Sequence, residues 1–274
     1  MSTPEIANLT AGARAVVKAL VLRSPLGPFL QSLRRKRRSV RELRGWTAGD
    51  DVALRFYAQF IGTRDVCFDI GANRGSRTKV FRRLASKVVA VEPQSLCMAV
   101  LRAVYANDAR VVLVNSACGA EPGMAKLHIS PGMDVLSSLS DEWIRAVERS
   151  GRFKDASWTK EEACAVVTLH ELIRTHGAPS FIKIDVEGYE LNVLRGLKQP
   201  VRSLSFEFAP ERTDATIACI DQVAELGPSE FNLSWNESFQ LSLGSWVGRD
   251  EIVALLNSYR DNTEIFGDVY ARSR

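Results

Sequence analysis

Cysteine is scarce in this chain of 274 residues, and its spacing excludes two kinds of site. The five cysteines are odd in number, and none of them forms a CxxC pair or follows the spacing of zinc ligands. Such spacing supports neither a disulfide framework nor a structural metal. A reducing cytoplasm is therefore the expected location, and no metal is predicted.

Long apolar runs are absent as well. The most apolar stretch near the start, residues 15–30, is interrupted by two basic residues and two prolines, Lys18, Arg23, Pro25 and Pro28. A helix needs roughly 20 predominantly apolar residues to span a membrane, so no spanning segment is predicted. No small-residue cleavage pattern follows the stretch, which argues against a secretory signal.

Histidine is rarer still. The three histidines, His128, His170 and His176, show no partner pattern for a catalytic triad or a zinc site. The chain is otherwise ordinary for a folded protein, because 46% of its residues are hydrophobic and 25% are charged. That composition excludes a disordered or fibrous chain and allows one substantial core with a modest appendage.

Positive charge is concentrated near the start of the chain. Residues 1–60 hold eleven Lys or Arg and four acids, a net charge of +7, whereas the whole chain carries +4. We therefore divide the chain into a basic, partly helical extension at residues 1–48 and a larger domain at residues 49–274. Helices are expected at residues 11–21, 31–44 and 50–61.

The basic run RRKRR at residues 34–38 has two interpretations. It is either a solvated charged helix face or a peripheral hold on anionic lipids at the inner face of the membrane, with Leu30 and Leu33 dipping into the bilayer. Nucleic acid is not an expected partner, because no recognisable DNA or RNA module accompanies the run.

From residue 65 onward, short apolar runs alternate with helical stretches of about ten residues. Parallel strands are predicted at residues 66–70, 87–91, 110–114, 180–186 and 203–208, with closing strands near residues 231–235 and 268–271. Strands that alternate with helices predict an α/β fold with a doubly wound, mostly parallel sheet. Residues 131–163 are polar and are expected to leave the sheet as a lid or substrate insertion.

A glycine-rich turn follows the first predicted strand. It carries an acid and three turn residues in the order Asp69, Gly71, Asn73 and Gly75, and the next strand ends in Glu92. Such a turn allows a cofactor to approach the backbone, and a carboxylate about 20 residues later can accept both ribose hydroxyls. An acid in the turn repels a diphosphate but attracts an ammonium group, which favours S-adenosyl-L-methionine over NAD. Ser116, after the third strand, is added to the predicted cofactor site.

Acids also end the later strands. Asp185 and Glu187 follow one strand, and Glu207 closes the next. Because the carboxyl ends of parallel strands meet at one crevice, we expect these acids to converge with the glycine turn. Asp185 or Glu187 is the candidate base for a hydroxyl proton, and Glu207 is the candidate for orienting the substrate or the base.

Two other roles for these acids stay open at this point. Lys183 shares a strand face with Asp185 and would simply neutralise it. A divalent cation could instead bind the carboxylates of Asp185, Glu187 and Glu207, but no histidine or asparagine ligand joins them at a recognisable spacing.

These motifs together resemble the FkbM-type methyltransferases. The resemblance covers roughly residues 60–210 and rests on DIGANRG (69–75), VEP (91–93), TLHEL (168–172), IKIDVEGYELNVLRGL (182–197) and SFEF (205–208). It implies a class I, Rossmann-like fold with seven strands, the last of them antiparallel. His170 departs from the family, which commonly has Asp at this position. The basic extension lies outside the resemblance.

The resemblance and the residues imply the same reaction. We expect S-adenosyl-L-methionine-dependent methyl transfer to a hydroxyl oxygen of a small molecule: a sugar, a glycolipid or a polyketide-like product. The alternatives are a nucleotide-dependent oxidoreductase and a cofactor-binding interaction module without catalysis. The oligomeric state does not follow from the sequence.

Overall fold

The structure, a computed structural model, describes residues 27–236, 238–260, 262 and 265–274, and only the backbone of residues 27–32. The helix expected at residues 11–21 and the side chain of Leu30 lie outside this part of the chain. Within it, no helix combines the length and apolar character needed to cross a bilayer.

Ten strands are described, and seven of them form the main sheet. They are β1 (Val66–Ile70), β2 (Lys87–Val91), β3 (Val111–Val114), β4 (Ala117–Cys118), β5 (Gly123–Ile129), β6 (Lys160–Val167), β7 (Phe181–Ile184), β8 (Ser203–Phe208), β9 (Ser229–Trp235) and β10 (Gly267–Ser273). The main sheet has the order β3-β2-β1-β7-β8-β10-β9. The pairs from β3 to β8 are parallel, and β10 is antiparallel to β8 and β9. The predicted doubly wound fold with an antiparallel last strand is confirmed.

The strand order fixes the position of the crevice. Successive strands run outward from β1 to β3, and the chain then returns to place β7 on the other side of β1. In open α/β sheets, ligands bind beyond the carboxyl ends of the strands at such a reversal. The sheet therefore directs a ligand to the ends of β1 and β7.

Helices flank this sheet. The structure describes α1 (Gly27–Arg44), α2 (Ala48–Tyr57), α3 (Ser76–Leu84), α4 (Ser95–Tyr105), α5 (Asp141–Ser150), α6 (Leu169–His176), α7 (Glu190–Arg195), α8 (Thr213–Leu226) and α9 (Arg249–Ser258), with 3-10 turns at Asp134–Leu136 and Pro210–Arg212. Reciprocal hydrogen bonds of the capping-box type begin α2 and α6. They join Thr47 to Asp50 and Thr168 to Glu171.

Aromatic side chains attach α2 to one face of the sheet. The Phe60 ring stacks on Phe181 of β7 and on Tyr270 of β10, with centroids 5.2 and 5.4 Å apart. Tyr57 is fully buried beside them. Such offset pairs add stabilisation beyond the area that they bury. The helix expected at residues 50–61 is present as Ala48–Tyr57, and Phe60 lies in the turn that follows it.

Helix α1 belongs partly to the core and partly to the surface. Leu43, in its last turn, is buried in a cluster with Met98 and Leu101 of α4. Earlier in the helix, the side chains of Arg34, Arg37 and Arg38 are exposed, whereas Arg44 donates a hydrogen bond to the carbonyl of Ala103 in α4. Helix α1 is therefore attached to α4 through its last turn.

The predicted insertion extends from a second sheet, which has three strands. Its order is β4-β6-β5, and β5 and β6 are antiparallel neighbours. The chain leaves this sheet after β5 and returns at Lys160, so we define the lid as residues 130–159. The predicted insertion, residues 131–163, was wrong at its end, because residues 160–163 pair with β5. Lys160, Glu161 and Glu162 are polar because the start of β6 is largely solvated, and this concealed the strand.

Candidate functional site

One cavity of about 440 Å³ opens beyond the carboxyl ends of β1, β2 and β7 and under the lid. This volume lies within the usual range for small-molecule sites, roughly 300–1,000 Å³. Eight of the nine predicted site residues line it: Asp69, Gly71, Asn73, Glu92, Ser116, Asp185, Glu187 and Glu207. The convergence expected from the strand ends is therefore present. Gly75 is the exception.

The two turn glycines serve the packing of the protein itself. Gly71 has φ +80°, and a Cβ there would lie 1.8 Å from the carbonyl oxygen of Asp185. Gly75 has φ +88° and begins α3, and its Cβ would lie 2.6 Å from Leu101 Cδ2. Both positions require glycine for backbone conformation and close approach. The sequence suggested that glycine is needed at these positions to leave room for a cofactor. In the structure, neighbouring protein atoms are what require glycine there.

Asp69 is buried at the end of β1, with 2% of its surface exposed. The hydroxyl of Thr78, from the first turn of α3, donates to Asp69 Oδ2. Burial raises the pKa of the Asp69 carboxyl to about 6, although the Thr78 hydrogen bond opposes the shift. Thr78 was not predicted from the sequence, because nothing in its spacing distinguished it from other residues of the helix.

Glu92 accepts two backbone hydrogen bonds, from the amides of Asn73 and Gln94, each at 2.7 Å. It is 5% exposed, and burial raises the pKa of its carboxyl to about 7 despite both amide donors. A carboxylate has about four acceptor positions on two oxygens, so acceptor capacity remains for a ligand in the cavity. Its position fits a vicinal diol.

The lid is joined to the glycine turn and to the acid cluster. Asn73 Nδ2 donates to the carbonyl of Asp134 at 3.3 Å, and Arg74 forms an ion pair with the Asp134 carboxylate. Ser138 Oγ donates to the carbonyl of Glu187 at 2.6 Å. Asp134 is a site residue that the sequence did not indicate, because it belongs to a lid whose position relative to the sheet is set by tertiary contacts.

Asp185, Glu187 and Glu207 form an acid cluster, in which one carboxylate oxygen of each lies within 4.8 Å of those of the others. Glu187 has φ +53°, an unusual conformation for a residue with a side chain. Burial, and then the charge of neighbouring carboxylates, raise the pKa of Glu187 and of Glu207 well above the ordinary range. Glu187 and Glu207 therefore hold protons at pH values where an exposed carboxyl is ionised.

Glu190 is close by but has a structural role. Its Oε1 accepts hydrogen bonds from the amides of Val186 at 3.3 Å and Gly188 at 3.0 Å. The side chain is buried and closes the turn that carries Glu187. Glu190 thus supports the left-handed conformation of its neighbour.

The Lys183 ammonium group forms ion pairs with two carboxylates. Its Nζ lies 2.8 Å from Asp268 Oδ1 of β10 and 3.4 Å from Asp185 Oδ2. Burial opposes the charged form of this lysine, but the two carboxylates outweigh it and raise its pKa well above the ordinary value. The sequence left open that Lys183 neutralises Asp185. Lys183 does lie near Asp185, but its closer partner is Asp268.

The residues that line the cavity fit S-adenosyl-L-methionine. Glu92 offers acceptors for a ribose diol, and the acids of β1 and β7 provide a negative environment for a cationic ligand. The acid cluster also has carboxylate oxygens suited to a hard divalent cation, which was the other role considered for these acids from the sequence. Among the described residues, no histidine lines the cavity.

Comparisons with known proteins identify related sequences and structures. The family profile described as "Methyltransferase FkbM domain" matches residues 69–226. Among solved structures, methyltransferase FkbM from Methylobacillus flagellatus KT is 15% identical with a TM-score of 0.42, covering 73% of this chain and 55% of that chain. This chain thus spans about half the length of that structure. A search of curated proteins found no significant match.

Two further structures show how varied the similar proteins are. Precorrin-6y C5,15-methyltransferase from Geobacter metallireducens GS-15 is 10% identical with a TM-score of 0.43, covering 81% of this chain and 86% of that chain. An rRNA methylase from Streptococcus thermophilus is 13% identical with a TM-score of 0.39, covering 81% and 93%. Similarities of this size carry no conclusion about the substrate of this chain.

Proposed function

This chain belongs to the FkbM methyltransferase family, and we propose that it transfers a methyl group from S-adenosyl-L-methionine to a hydroxyl oxygen of a small molecule. S-adenosyl-L-methionine, the cofactor of such an enzyme, supplies an electrophilic methyl group on a cationic sulfur. The observation that carries the proposal is the convergence of Glu92 and the acid cluster on one cavity at the reversal of strand order.

We assign donor binding to the glycine-turn side of the cavity. Glu92 accepts the ribose hydroxyls, and Asp69 attracts the ammonium group of the methionine portion. Asn73 and Ser116 line the same side, with Asn73 also hydrogen-bonded to the lid. The amide hydrogen bonds to Glu92 hold its carboxylate in place before a ligand arrives, which reduces the ordering cost of binding.

We assign the acceptor hydroxyl to the acid cluster. Attack by the hydroxyl oxygen on the methyl carbon would form a carbon–oxygen bond while the carbon–sulfur bond breaks and S-adenosyl-L-homocysteine leaves with the electron pair. The proton left on the acceptor oxygen must be taken by a carboxylate. Glu187 is the preferred base, because its backbone is held by the Ser138 hydrogen bond and by the turn that Glu190 closes. Glu207 and Asp185 orient the hydroxyl, and their charges influence the ionisation of Glu187, the proposed base.

The other functions considered from the sequence are less well supported. A dinucleotide-dependent oxidoreductase must hold a pyrophosphate at the glycine turn, where this chain has the buried acid Asp69. A cofactor-binding module without catalysis does not need the acid cluster, whose charges are costly to bring together. A divalent cation in that cluster is a further alternative, and dialysis against EDTA followed by measurement of turnover distinguishes it from the base mechanism.

A turnover assay tests the proposed reaction. The purified protein is incubated with radiolabelled S-adenosyl-L-methionine and an extract of hydroxylated small molecules, and methylated products are separated and identified by mass. We expect base-stable products that carry one methyl group on oxygen and that are absent with Glu187→Gln. Methyl transfer only to nitrogen or carbon, or S-adenosyl-L-homocysteine binding without any transfer, contradicts the proposal.

We also propose that α1 holds the protein on anionic membranes. Arg34, Arg35, Arg37 and Arg38 are exposed on it, and the Arg35 guanidinium lies beside Gly132 of the lid. Clustered basic side chains contribute about 1 kcal/mol each near an anionic lipid surface. Flotation with vesicles of phosphatidylserine and phosphatidylcholine should retain the protein and lose it when the four arginines are changed to glutamate. Equal flotation of both proteins contradicts this contact.

A further inference from the structure

A second cavity of about 280 Å³ lies on the far side of the acid cluster. Val135, Glu187 and Glu207 line both this cavity and the larger one, so the two share a wall at the proposed base. We call the larger cavity, to which we assign the methyl donor, the donor cavity. A hydroxyl bound at Glu187 would therefore have the donor cavity on one side and the second cavity on the other. The second cavity is the space available to the rest of the acceptor.

Its walls are mainly apolar and come largely from the lid. Trp143 and Val147 of α5, Leu136 and Phe153 line it, and Phe266 closes it from the segment before β10. Trp143 is fixed from two sides: its ring meets that of Trp158 edge to face with centroids 5.9 Å apart, and it packs on Gly188, where a Cβ would lie 2.3 Å away. Contacts with neighbouring residues thus fix the position of Trp143 in the apolar wall.

Apart from the acid cluster, the polar side chains that line the second cavity are Arg152, Glu211 and Arg212, and Glu211 Oε2 is buried without a hydrogen-bond partner among the described residues. Arg152 Nη1 lies 3.7 Å from Glu211 Oε1, and Arg212 Nη1 lies 3.2 Å from Glu142 Oε2. The Arg152 guanidinium also lies over the Phe266 ring, 4.8 Å from its centroid. These ion pairs balance the charges of Arg152, Glu211 and Arg212, and beyond Glu187, Glu207 and Glu211 the described lining has no carboxylate and no amide or hydroxyl side chain to pair with several sugar hydroxyls, which are costly to bury unpaired.

We infer that the methyl acceptor has an apolar, ring-sized body in the second cavity and presents its reacting hydroxyl to Glu187 and Glu207. An apolar cavity of about 150 Å³ holds one benzene ring, so 280 Å³ accommodates one or two rings. This inference rests on the proposed methyl transfer and narrows its substrate class from sugars, glycolipids and polyketide-like products to apolar hydroxylated ring compounds.

Calorimetry with two probes tests the inference on the whole protein. 2-Naphthol and methyl α-D-glucopyranoside are each titrated into the protein, with and without S-adenosyl-L-homocysteine. We expect 2-naphthol to bind at least about tenfold more tightly than the glucoside, a difference that apolar burial readily supplies. Tighter binding of the glucoside, or no binding of 2-naphthol, overturns the inference.

Two variants locate the binding. Ala146→Trp fills the second cavity from α5 without changing a residue of the donor cavity. It should weaken 2-naphthol binding about tenfold or more and leave S-adenosyl-L-homocysteine affinity unchanged, whereas Ala254→Trp, at an exposed position of α9, should change neither. Phe153→Ala, which removes a wall, should also weaken 2-naphthol binding. Unchanged 2-naphthol affinity in both cavity variants overturns the inference.

The same experiment separates the inference from the function on which it rests. If 2-naphthol binds in the second cavity but S-adenosyl-L-homocysteine does not bind at all, the proposed methyl transfer fails while the apolar site stands. If S-adenosyl-L-homocysteine binds and 2-naphthol does not, only the substrate class is wrong.

Discussion

Glu92 is the residue that we propose contributes most to donor binding. Its carboxylate holds the amides of Asn73 and Gln94 and lines the cavity at the end of β2. We predict that Glu92→Ala weakens S-adenosyl-L-homocysteine binding by roughly ten- to a hundredfold, since a hydrogen bond to a charged group is worth about 1.5–3 kcal/mol. Calorimetric titration measures the change.

The matched control for this variant is Glu121→Ala. Glu121 is exposed in the turn between β4 and β5, outside the cavity. It should leave the affinity unchanged. If Glu92→Ala binds S-adenosyl-L-homocysteine as tightly as this control, Glu92 does not contact the donor.

Glu187 should set the pH dependence of turnover. The base must be ionised to accept the hydroxyl proton, and burial followed by the charge of Glu207 raises its pKa well above the ordinary carboxyl range. We therefore predict that kcat falls as the pH decreases through this raised pKa, with a midpoint that belongs to the coupled pair. The pH profile of kcat, measured at saturating substrates, checks this.

Replacing the base should lower kcat without removing the donor site. Glu187→Gln is expected to reduce kcat by about 10²–10⁴-fold, the usual contribution of a general base, and to remove the acidic limb of the profile. S-adenosyl-L-homocysteine affinity should change little. Glu148→Gln, exposed on the same lid, is the control. An unaltered acidic limb in Glu187→Gln would assign it to another group.

At the residue scale, the sequence predicted those site residues that follow from strand ends. Asp69, Glu92 and Glu207 each end a strand with a clear apolar pattern, and parallel strands place such ends together. Asp134 and Asp268 could not be found in this way. One lies in the lid and the other on the antiparallel strand β10, and only tertiary packing brings them to the site.

At the element scale, the lid is attached to the glycine turn through Asp134. Asp134 is buried, pairs with Arg74 and accepts from Asn73. We predict that Arg74→Ala makes residues 130–159 exchange amide hydrogens several-fold faster in the absence of ligand, because the ion pair is lost while the backbone contact remains. Hydrogen exchange followed by mass spectrometry resolves this segment.

A second ion pair provides the control for the lid. Arg38 and Glu42 are both exposed on α1, 2.7 Å apart. Arg38→Ala removes an exposed arginine–carboxylate pair that includes no lid residue, so it should leave exchange of residues 130–159 unchanged. Equal exchange in the two variants would show that Arg74 does not hold the lid.

The secondary structure was predictable where apolar periodicity was strong. Strands β1, β2 and β8 have the predicted bounds because their patterns are clear and turn residues limit them. Strand β6 was missed because its first residues are polar and solvated. Helix α9 (Arg249–Ser258) was also not predicted, because its apolar face is short.

At the scale of the whole molecule, the buried carboxyls should make stability depend on pH. The folded-state pKa of Asp69 is about 6 and that of Glu92 about 7, both above their ordinary values. Between about pH 4.5 and 7, the folded protein therefore retains protons that the unfolded chain releases, so the free energy of unfolding falls as pH rises.

Thermal unfolding without ligand tests this prediction. For Glu92 alone the shift corresponds to about 3 kcal/mol across the window. The melting temperature should decrease from pH 5 to pH 7.5, and Glu92→Gln should reduce that decrease. A melting temperature that rises equally in both proteins over this range would contradict buried, protonated carboxyls in the cavity.

The two cavities and the basic helix form one arrangement. The donor cavity lies at the strand reversal, the second cavity continues beyond the acid cluster, and Arg35 of α1 lies beside the lid that covers both. Apolar ring compounds partition to membranes, so a membrane-bound enzyme would meet such an acceptor at high local concentration. The proposed lipid contact and the proposed substrate class are therefore compatible.

Calorimetric titration of the wild-type protein with S-adenosyl-L-methionine, S-adenosyl-L-homocysteine and NAD tests the central claim most directly. Acids from separate strands around the glycine turn should give saturable binding of the first two ligands at one site per chain and none of NAD. Binding of NAD in preference to both adenosyl compounds, or no binding of either, would contradict the claim.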